Sequence, residues 1–574
     1  MRDKKEFDSI LRSIDGKDPA EYAQLTGDFD FTRFVLHGRS IPAYDGGPLQ
    51  ALFVIHVPQL IAGFPPALFE TPIRRTALED FLIRQVADAI DRQAEAVPEG
   101  YSRCSLRIAR PDQKILPRSA LVVAADYVEA RITIRLPVRD GLIHAAEAER
   151  IFFLDLPAIV NSAMLHCYCD QEALDDFVNT MEDADRIRQS LNRQGLVAFV
   201  GDGARLARRS RSDDRPSPDA APLTVAEGLR TEMPVPNAGS VRGLGIPAGI
   251  TLIVGDAYSG RTDLVAAIGS GIYNVVPGDG RERVVTVPDA VQVVAEPGRA
   301  IQRVDLQMFL PAGPGAAATE FTKAAASAAE SQMASTVEAL QIGAQVLVFD
   351  ESSSDPGFLA ADSRLAGLAA GPRAASLAER ARQIADELHV SIVVGASACA
   401  AEFVAVADRV LRIAAGRVDD VTAEAKALDL RRPPAAPAAP LAPPAEAKRW
   451  ITPSSLDPSL GREDAVIEAL DRCHLRFGRS TIDLNGVRQI ADIHQTTTIG
   501  LVLYFAKLHY LDETRTMSEL LYLIDQDLSH EGLEGLSREL RGDLARPRRY
   551  EIAAALNRLD TLRVVRRESA PAAG

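Results

Sequence analysis

Residues 251–273 read TLIVGDAYSGRTDLVAAIGSGIY and place a glycine-containing loop between an aliphatic strand and a helix. The loop from Gly255 to Thr262 follows the pattern G-x-x-x-x-G-K-[S/T], except that arginine replaces the lysine. Its glycines let backbone N–H groups turn inward towards phosphate oxygens, and the helix directs the positive end of its dipole at the same anion. The stretch therefore predicts a phosphate-binding loop. The alternative is a turn that matches the pattern by chance.

Within this stretch we assign contacts to the bound nucleotide to the whole loop and the first helical turn. The expected contact residues are Gly255, Asp256, Ala257, Tyr258, Ser259, Gly260, Arg261, Thr262 and Asp263. The Thr262 hydroxyl is the expected ligand of Mg²⁺. Arg261 keeps the positive charge of the usual lysine, but its planar guanidinium is wider and fits less closely between two phosphates.

A second motif ends another aliphatic run, where Val346-Leu-Val-Phe precedes Asp350 and Glu351. In phosphate-loop enzymes an aspartate at such a strand end helps to hold Mg²⁺. A glutamate beside it can polarise the attacking water. We therefore assign Asp350 to the metal and Glu351 to catalysis. The alternative is a strand that simply ends in acids before a turn.

The segment around these motifs has the pattern of an α/β layer. Four short aliphatic runs alternate with helical stretches between residues 235 and 430: GITLIVG (249–255), VVTV (284–287), AQVLVFD (344–350) and VSIVVGA (390–396). Continuous aliphatic runs are typical of strands that are buried on both faces. We therefore expect one sheet with helices on both sides.

The flanking regions follow different patterns. Before residue 204, ALFVIHV (51–57) and YVEARITIRL (127–136) predict strands and TALEDFLIRQVADAIDRQ (76–93) predicts a helix, so this region is α+β. After residue 448, AVIEALDRC (465–473) and EIAAALNRL (551–559) have apolar residues at helical spacing. The last region is therefore expected to be mainly helical.

Low-complexity stretches suggest the boundaries between these regions. One is ARLARRSRSDDRPSPDAAP (204–222), and the other is a Pro/Ala-rich run at 431–448 that predicts an extended linker. The expected division is an N-terminal α+β domain (1–203), a connector (204–234), a nucleotide-binding core (235–430), a linker (431–448), a C-terminal helical domain (449–567) and a tail (568–574).

Composition excludes several classes of protein. Lys and Arg number 64 and Asp and Glu 79, so the formal charge is −15, which argues against a generally basic nucleic-acid coat protein. The 5 cysteines form no disulfide framework and favour a reducing compartment. No apolar run is long enough for a membrane span, and the N-terminus has no secretory signal pattern. We therefore expect a cytoplasmic protein with no membrane partner.

The motifs and their surroundings resemble the predicted ABC-class ATPase family. The stretches that carry the likeness are GLGIPAGITLIVGDAYSGRTDL, GIYNVVPGDGRERVVTVPDAV, EALQIGAQVLVFDESSSDPGFLAADSRL, RTALEDFLIRQVADAI, HQTTTIG and GDLARPRRYEIAAALNRL. The resemblance extends from about residue 10 to 565. It implies an ABC-type P-loop NTPase core between an N-terminal α/β domain and a C-terminal domain, with ATP and Mg²⁺ as ligands and a homodimer formed through the core.

The chain departs from the family in the signature segment as well as at Arg261. The family's segment resembles A-S-G-S-T-S-Q, whereas this chain has ASAAESQ at 326–332, with Ala328 and Glu330 as the main changes. In ABC-type dimers this segment caps the γ-phosphate that the other subunit holds. The resemblance therefore implies nucleotide contacts from Ser327, Ser331 and Gln332. An added carboxylate at Glu330 is expected to repel phosphate.

Together these features predict an ATP-dependent conformational switch whose hydrolysis is weakened by its altered phosphate loop and signature segment. The alternative is a nucleotide-binding scaffold or sensor without significant hydrolysis. Residues 541–567 contain eight arginines and only three acids, so they are considered as a site for a further partner. The favoured interpretation of this stretch is a helical face whose arginines form salt bridges, and its alternative is an RNA- or DNA-binding face.

Overall fold

The computed structural model describes residues 1–97, 105–210, 212–310, 318–361, 373–428, 449–512 and 514–565. The Pro/Ala-rich linker at 431–448 and the tail at 568–574 lie outside these ranges. The described chain forms two compact units. One comprises Met1–Glu182 and Glu531–Arg546, and the other Asp183–His530 and Pro547–Gly574.

The α-helices have the following bounds. They are α1 (Lys4–Ser13), α2 (Gln59–Ala62), α3 (Pro72–Glu95), α4 (Ala145–Arg150), α5 (Leu156–Ala163), α6 (Gln171–Leu191), α7 (Arg261–Ser270), α8 (Ala328–Gln341), α9 (Pro356–Leu359), α10 (Leu377–Glu387), α11 (Ala400–Val404), α12 (Thr422–Ala427), α13 (Ile493–His509), α14 (Met517–His530) and α15 (Arg549–Asn557).

The strands of the first unit are β1 (Arg2–Asp3), β2 (Gly27–Asp30), β3 (Val35–Ser40), β4 (Gln50–Pro58), β5 (Leu106–Arg107), β6 (Lys114–Ile115), β7 (Leu121–Val123), β8 (Tyr127–Arg135), β9 (Val138–Arg139) and β10 (Leu142–Ile143). Those of the second are β11 (Leu196–Gly201), β12 (Thr224–Val225), β13 (Arg230–Val235), β14 (Gly239–Pro247), β15 (Ile250–Val254), β16 (Asn274–Val275), β17 (Val284–Thr286), β18 (Ala290–Gln292), β19 (Ile301–Val304), β20 (Phe321–Lys323), β21 (Val346–Asp350), β22 (Ser391–Ala396), β23 (Arg409–Ala414), β24 (Arg417–Asp420), β25 (Trp450–Ile451), β26 (Ile467–Asp471), β27 (His474–Phe477), β28 (Ser480–Asp483) and β29 (Val564–Val565).

The first unit is built on a sheet of order β1-β2-β3-β4-β8-β5, with β7 also paired to β8. The strands predicted at 51–57 and 127–136 are confirmed as β4 and β8, which pair antiparallel. The helix predicted at 76–93 is confirmed as α3, which begins at Pro72 with the Thr71 side chain accepting from the Arg74 N–H. This unit is therefore the α+β region that the sequence predicts.

The second unit contains the sheet that carries the two motifs. Its strand order is β12-β24-β23-β15-β22-β21-β18, and β15, β22, β21 and β18 run parallel. The runs at 249–255, 344–350 and 390–396 are confirmed as β15, β21 and β22. Because parallel strands end at one edge, the segments after these three strands lie together.

The remaining aliphatic run, at 284–287, is a strand as predicted, but it does not belong to the sheet in which we expected it. The run at 284–287 forms β17, which pairs antiparallel with β11 in a separate sheet of order β13-β14-β11-β17. Helix α7 packs against β17 as well as against β21, so β17 is buried on both faces without joining the parallel sheet. A continuous aliphatic run indicates that a strand is buried on both faces. It does not indicate which neighbouring elements cover those faces.

The expectation of a helix at 465–473 is also wrong, because this segment forms β26 and a turn. β26, β27 and β28 make an antiparallel sheet, in which Ile467 lies opposite Phe477. The Gly478-Arg479 turn joins β27 to β28, and Gly478 has a positive φ of 60°. The turn is flanked by alternating buried residues, so the sequence did contain a hairpin signal. The helix predicted at 551–559 is confirmed as α15, which begins and ends two residues earlier than predicted.

Candidate functional site

The phosphate loop follows β15, every residue of which except Val254 is fully buried. A Cβ atom at Gly255 would lie 2.4 Å from Ser259 Oγ and 2.8 Å from the Ile413 carbonyl oxygen, so the loop needs glycine there. Gly260 has a φ of +93°, which also favours glycine. The side chains of Asp256, Ala257 and Tyr258 are exposed, so the loop itself offers mainly backbone groups.

Helix α7 begins directly after the loop and presents an open N-terminus. Its N-cap residue is Gly260, and no described side chain caps the helix by a hydrogen bond. By contrast, Ser327 caps α8 and Ser376 caps α10, each within a capping box. The first N–H groups of a helix have no partner inside the helix and attract anions. The exposed first-turn residues Thr262 and Asp263 lie at this end.

Three buried polar atoms at this edge of the sheet have no hydrogen-bond partner among the described residues. They are Ser259 Oγ, Arg261 Nε and Asp350 Oδ1. Buried polar atoms in folded proteins are nearly always paired, and a buried atom without a partner is costly. The arrangement is therefore that of a binding site that a polar ligand would complete.

Asp350 ends β21 and is 3% exposed. Its Oδ2 atom accepts a hydrogen bond from the Ser352 hydroxyl, which leaves Oδ1 directed at Arg261, with Nε 3.9 Å away. In the register of β21 and β22, Asp350 lies opposite Gly395. A Cβ atom at Gly395 would lie 3.0 Å from Asp350 Oδ1, so this glycine leaves room for the carboxylate.

Glu351 is held by the segment that follows β22. Its carboxylate accepts from the Ser397 N–H at 2.6 Å, the Ser397 hydroxyl at 2.9 Å and the Cys399 N–H at 2.9 Å. Burial alone would raise the pKa of Glu351, but the hydrogen bonds from Ser397 and Cys399 outweigh it and lower the pKa. Burial, together with Glu351, raises the pKa of the Cys399 thiol to about 11. A carboxylate bonded in this way is a weak base.

The hydrogen bonds from the 397–399 segment to Glu351, here called the Glu351 clamp, predict a pH-dependent contribution to stability. A carboxylate with a lowered pKa stabilises the folded chain above its unfolded pKa, and the contribution is lost as the pH falls through the folded value. The difference in unfolding free energy between wild type and Glu351→Gln should therefore be constant from about pH 8 to 5, and shrink below about 4.3. Urea unfolding at a series of pH values measures it. The exposed variant Glu172→Gln controls for the lost charge, and a difference that grows towards acid pH would contradict the clamp.

Asp350 and Thr262 fit a magnesium ion. Asp350 offers one oxygen that accepts no hydrogen bond from the described residues, and the exposed Thr262 lies at the start of α7. Hard oxygen ligands of this kind suit Mg²⁺. Elsewhere in the described ranges, no group of three His, Cys, Asp or Glu side chains is placed to hold a metal ion.

The signature segment lies at the start of α8, and its residues differ in accessibility. Ser327 is exposed, whereas Ser331 and Gln332 are fully buried. Ser331 Oγ accepts a hydrogen bond from the Glu296 N–H at 2.8 Å. The side-chain amide of Gln332 donates to the Ser354 hydroxyl, and its oxygen accepts from the Asp355 N–H. Of the three predicted contacts, only Ser327 has a side chain at the surface of the subunit.

Glu330 does not act as the free negative charge that the sequence suggests. Its carboxylate binds Lys323 Nζ at 2.7 Å and accepts from the Ser327 N–H at 2.8 Å. Burial would raise the pKa of Glu330, but the bonds from Lys323 and Ser327 lower it. The physical effect on phosphate is therefore different from simple repulsion, because Glu330 occupies an N–H donor at the helix end where phosphate would bind.

Three arginines of the C-terminal stretch are engaged within the chain. Arg548 binds Glu551 and the backbone carbonyls of Pro288 and Ala290, while Arg549 binds Asp289 at 2.9 Å. Arg558 is also buried and pairs with an acid. These contacts match the salt-bridged interpretation of the sequence analysis, because guanidinium groups bonded in this way are not presented to phosphates.

Sequence reasoning missed several of these contacts. Neither Ser397 nor Cys399 was identified as a partner of Glu351, and Glu296 was not linked to the signature segment. No local pattern signals these pairs, since each joins residues that are far apart in the chain. The parallel register of β21 and β22 alone brings Ser397 beside Glu351.

Comparison with known families covers most of the chain. Residues 4–167 match the family model for the ABC-class ATPase N-terminal region, and residues 170–446 match the ABC ATPase P-loop domain. Residues 466–565 match the model of the MRB1590 C-terminal domain. The resemblance stated from the sequence is thereby confirmed, and so is the ABC-type P-loop core.

Other comparisons add little. The search of curated proteins gives no match. A solved structure of a bacterial Atm1-family ABC exporter with ATP bound is similar, with 12% identity and a TM-score of 0.23 over 48% of this chain and 45% of the exporter. The chain thus spans less than half of the exporter's length. Among the described helices, none is long and apolar enough to cross a membrane.

Proposed function

Because the chain belongs to the ABC-class ATPase family, we propose that it binds ATP at residues 255–263 and works as a nucleotide-dependent conformational switch. The observation that carries this proposal is the group of three buried polar atoms that have no hydrogen-bond partner among the described residues, beside the uncapped start of α7. A polyphosphate would accept hydrogen bonds from Ser259 and from the N–H groups at the start of α7, which also attract its negative charge. A magnesium ion on the polyphosphate would be the partner of Asp350 Oδ1. The side chains involved come from two motifs that the fold brings to one edge.

The residues divide the work as follows. The backbone of the loop and the first turn of α7 would hold the phosphates, with Ser259 donating its hydroxyl. Thr262 and Asp350 would hold Mg²⁺, which, when bound, neutralises the charge that develops on the phosphates. Glu351 would orient the attacking water, provided that Ser397 and Cys399 release it.

Hydrolysis is proposed to be weak for reasons that lie in the geometry. Arg261 points back at Asp350 and Glu351, and its Nη1 donates to the Gly255 carbonyl at 3.2 Å. Glu351 already accepts four hydrogen bonds from the 397–399 segment. Phosphoryl transfer depends on positioning, and a misplacement of about 1 Å can cost about 100-fold in rate. A scaffold or sensor without significant hydrolysis is therefore the second candidate.

Two further parts of the proposal concern partners. A homodimer through the ATPase core would place the exposed Ser327 of one subunit against nucleotide on the other. Association with RNA or DNA has less support, because Arg548 and Arg549 are engaged in the chain. Gel filtration with and without ATP tests the dimer, and binding to single-stranded RNA at low salt tests the second partner.

The direct test is equilibrium binding of a fluorescent ATP analogue to the full-length protein, followed by steady-state phosphate release. Saturable binding by the wild type would support the nucleotide site, and loss of phosphate release in Asp350→Asn would support the metal role of Asp350. Arg412→Lys, at an exposed position on the neighbouring strand β23, serves as a control for a change of charged side chain. Absence of saturable binding would refute the proposal, and binding without phosphate release would select the sensor.

Restoring the family's residues should raise turnover. We expect Arg261→Lys alone to give a modest gain in phosphate release, because lysine fits between two phosphates more closely. Adding Ala328→Gly and Glu330→Thr should give a larger, several-fold gain, since the N–H donor of Ser327 becomes available. Glu351→Gln should remove both gains while ATP stays bound. Brisk wild-type hydrolysis that Arg261→Lys lowers would contradict this account.

A further inference from the structure

Arg261 has an unusual position for a residue of a phosphate loop. Its side chain is 13% exposed and folds back from the loop towards the two motif acids. Nε lies 3.9 Å from Asp350 Oδ1, and Nη1 lies 3.7 Å from Glu351 Oε2. The bond from Nη1 to the Gly255 carbonyl holds the guanidinium in this place. The positive charge therefore sits between the loop and both carboxylates.

This position gives the guanidinium the electrostatic role that a divalent cation has in such sites. Two carboxylates at the end of a buried strand repel a polyphosphate unless a cation lies nearby. The Asp350 carboxylate is also hydrogen-bonded by Ser352, and the Glu351 carboxylate by four donors. The charges of Asp350 and Glu351 are thus both compensated by the chain itself.

A lysine in this position would behave differently. Its ammonium is a compact charge on a flexible stem and has only one point of attachment, whereas the arginine fork reaches a carbonyl and the carboxylates together. A lysine that moved to the phosphates would leave Asp350 without a cation. The need for a metal ion would then follow from the loss of the arginine.

We infer that Arg261 is a built-in counter-cation for Asp350 and Glu351, so that the site accepts the nucleoside triphosphate without a divalent cation. This inference rests on the proposed nucleotide site and adds the form in which the ligand binds. Mg²⁺ still fits Thr262 and Asp350, but it contributes little to affinity. Arg261 is in this sense a specificity-determining residue, since it sets which form of the nucleotide is bound.

The test measures affinity for a fluorescent ATP analogue in EDTA and in excess Mg²⁺, using the full-length protein. For the wild type we expect less than about a threefold difference between the two conditions. For Arg261→Lys and for Arg261→Gln we expect affinity in EDTA to fall on the order of tenfold, with recovery in Mg²⁺ for the lysine variant. Circular dichroism confirms that both variants are folded.

The matched control is Arg382→Lys. Arg382 makes a two-bond pair with Asp408 at 2.8 and 2.9 Å, and Asp408 accepts from the Ile250 N–H at the opposite end of β15. This change also replaces a paired arginine by lysine, but on helix α10 and away from the phosphate loop. Like the wild type, the control should bind the ATP analogue with nearly the same affinity in EDTA and in Mg²⁺.

The outcomes separate the inference from the proposed function. A wild type that loses tenfold or more in EDTA overturns the inference and leaves the nucleotide site in place. Arg261 variants that remain indifferent to EDTA overturn the role of Arg261. No binding in either condition refutes the nucleotide site itself.

Discussion

Replacing Arg558 with alanine is expected to lower the free energy of unfolding by about 3–5 kcal/mol. Arg558 lies just after α15, with its side chain 7% exposed, and its partner Glu296 is 14% exposed. Nε donates to the Glu296 carboxylate at 2.9 Å, and Nη2 makes a second bond to it. Removing the arginine would leave a buried carboxylate without its main compensating charge, which is far more costly than losing an exposed ion pair.

Urea unfolding followed by the fluorescence of Trp450, the one tryptophan of the chain, measures the effect. Arg476→Ala is the matched control, because Arg476 and Glu468 form an exposed pair, with side chains 44% and 57% exposed. Such a pair is worth about 0–1 kcal/mol. The double variant Arg558→Met with Glu296→Leu should recover part of the loss, since it removes both charges. Equal losses in Arg558→Ala and the control would contradict the buried pair.

The same pair connects the C-terminal region to the signature helix. The Glu296 N–H donates to Ser331 Oγ in α8, and its carboxylate binds Arg558. Three residues after Glu296, Arg299 binds both Ser335 and Glu338 of α8. Helix α8 is therefore held along its length by buried polar contacts to the segment that also receives Arg558. Any movement of α8 on nucleotide binding would have to carry this segment with it.

The phosphate loop and the motif acids could be predicted because each is a short, continuous signal. Gly255 to Thr262 follows one aliphatic run, and Asp350 ends another, so strand and site are read from the same few residues. Parallel strands then bring these ends together without any further information from the sequence. The ABC-type core was predictable for this reason.

The remaining contacts depend on tertiary packing, which leaves no local pattern. The clamp on Glu351 arises from the register of β22 beside β21, and nothing in the Ser397–Cys399 segment indicates it. Likewise, the C-terminal stretch looks like a basic surface in sequence, partly because the acids that Arg549 and Arg558 bind, Asp289 and Glu296, lie more than 250 residues earlier. The sheet of β17 was misassigned because burial by α7 and burial within a parallel sheet give the same aliphatic pattern.

Adding one methyl group to the phosphate loop, in Gly255→Ala, should lower the affinity for ATP more than any nearby change of charge does. In Gly255→Ala the new Cβ would lie 2.4 Å from Ser259 Oγ and 2.8 Å from the Ile413 carbonyl oxygen. Separations under about 3 Å are not tolerated, and the Ile413 contact is to the backbone of β23, which cannot rotate away. The loop itself must therefore move outward from the sheet.

In the free protein this displacement is cheap, because the middle of the loop is exposed and its side chains make few contacts. Binding would require the loop to return to its original path around the phosphates. The overpacking cost of about 1–3 kcal/mol would then fall almost wholly on the bound state. We expect the affinity for a fluorescent ATP analogue to fall by about tenfold to a hundredfold.

The matched control is Gly228→Ala, since no described heavy atom lies within 4 Å of a Cβ at that position and its φ is not positive. Binding is measured in parallel with urea unfolding, so that a loss of affinity is separated from a loss of fold. Gly255→Ala should unfold at nearly the wild-type urea concentration, because the loop can relax when empty. If it bound ATP as tightly as Gly228→Ala, the phosphates could not be lying against the backbone of residues 255–260, and the site would have to be sought elsewhere. The close approach at Gly255 thus makes the loop's conformation, rather than its charge, the most sensitive probe of whether nucleotide occupies it.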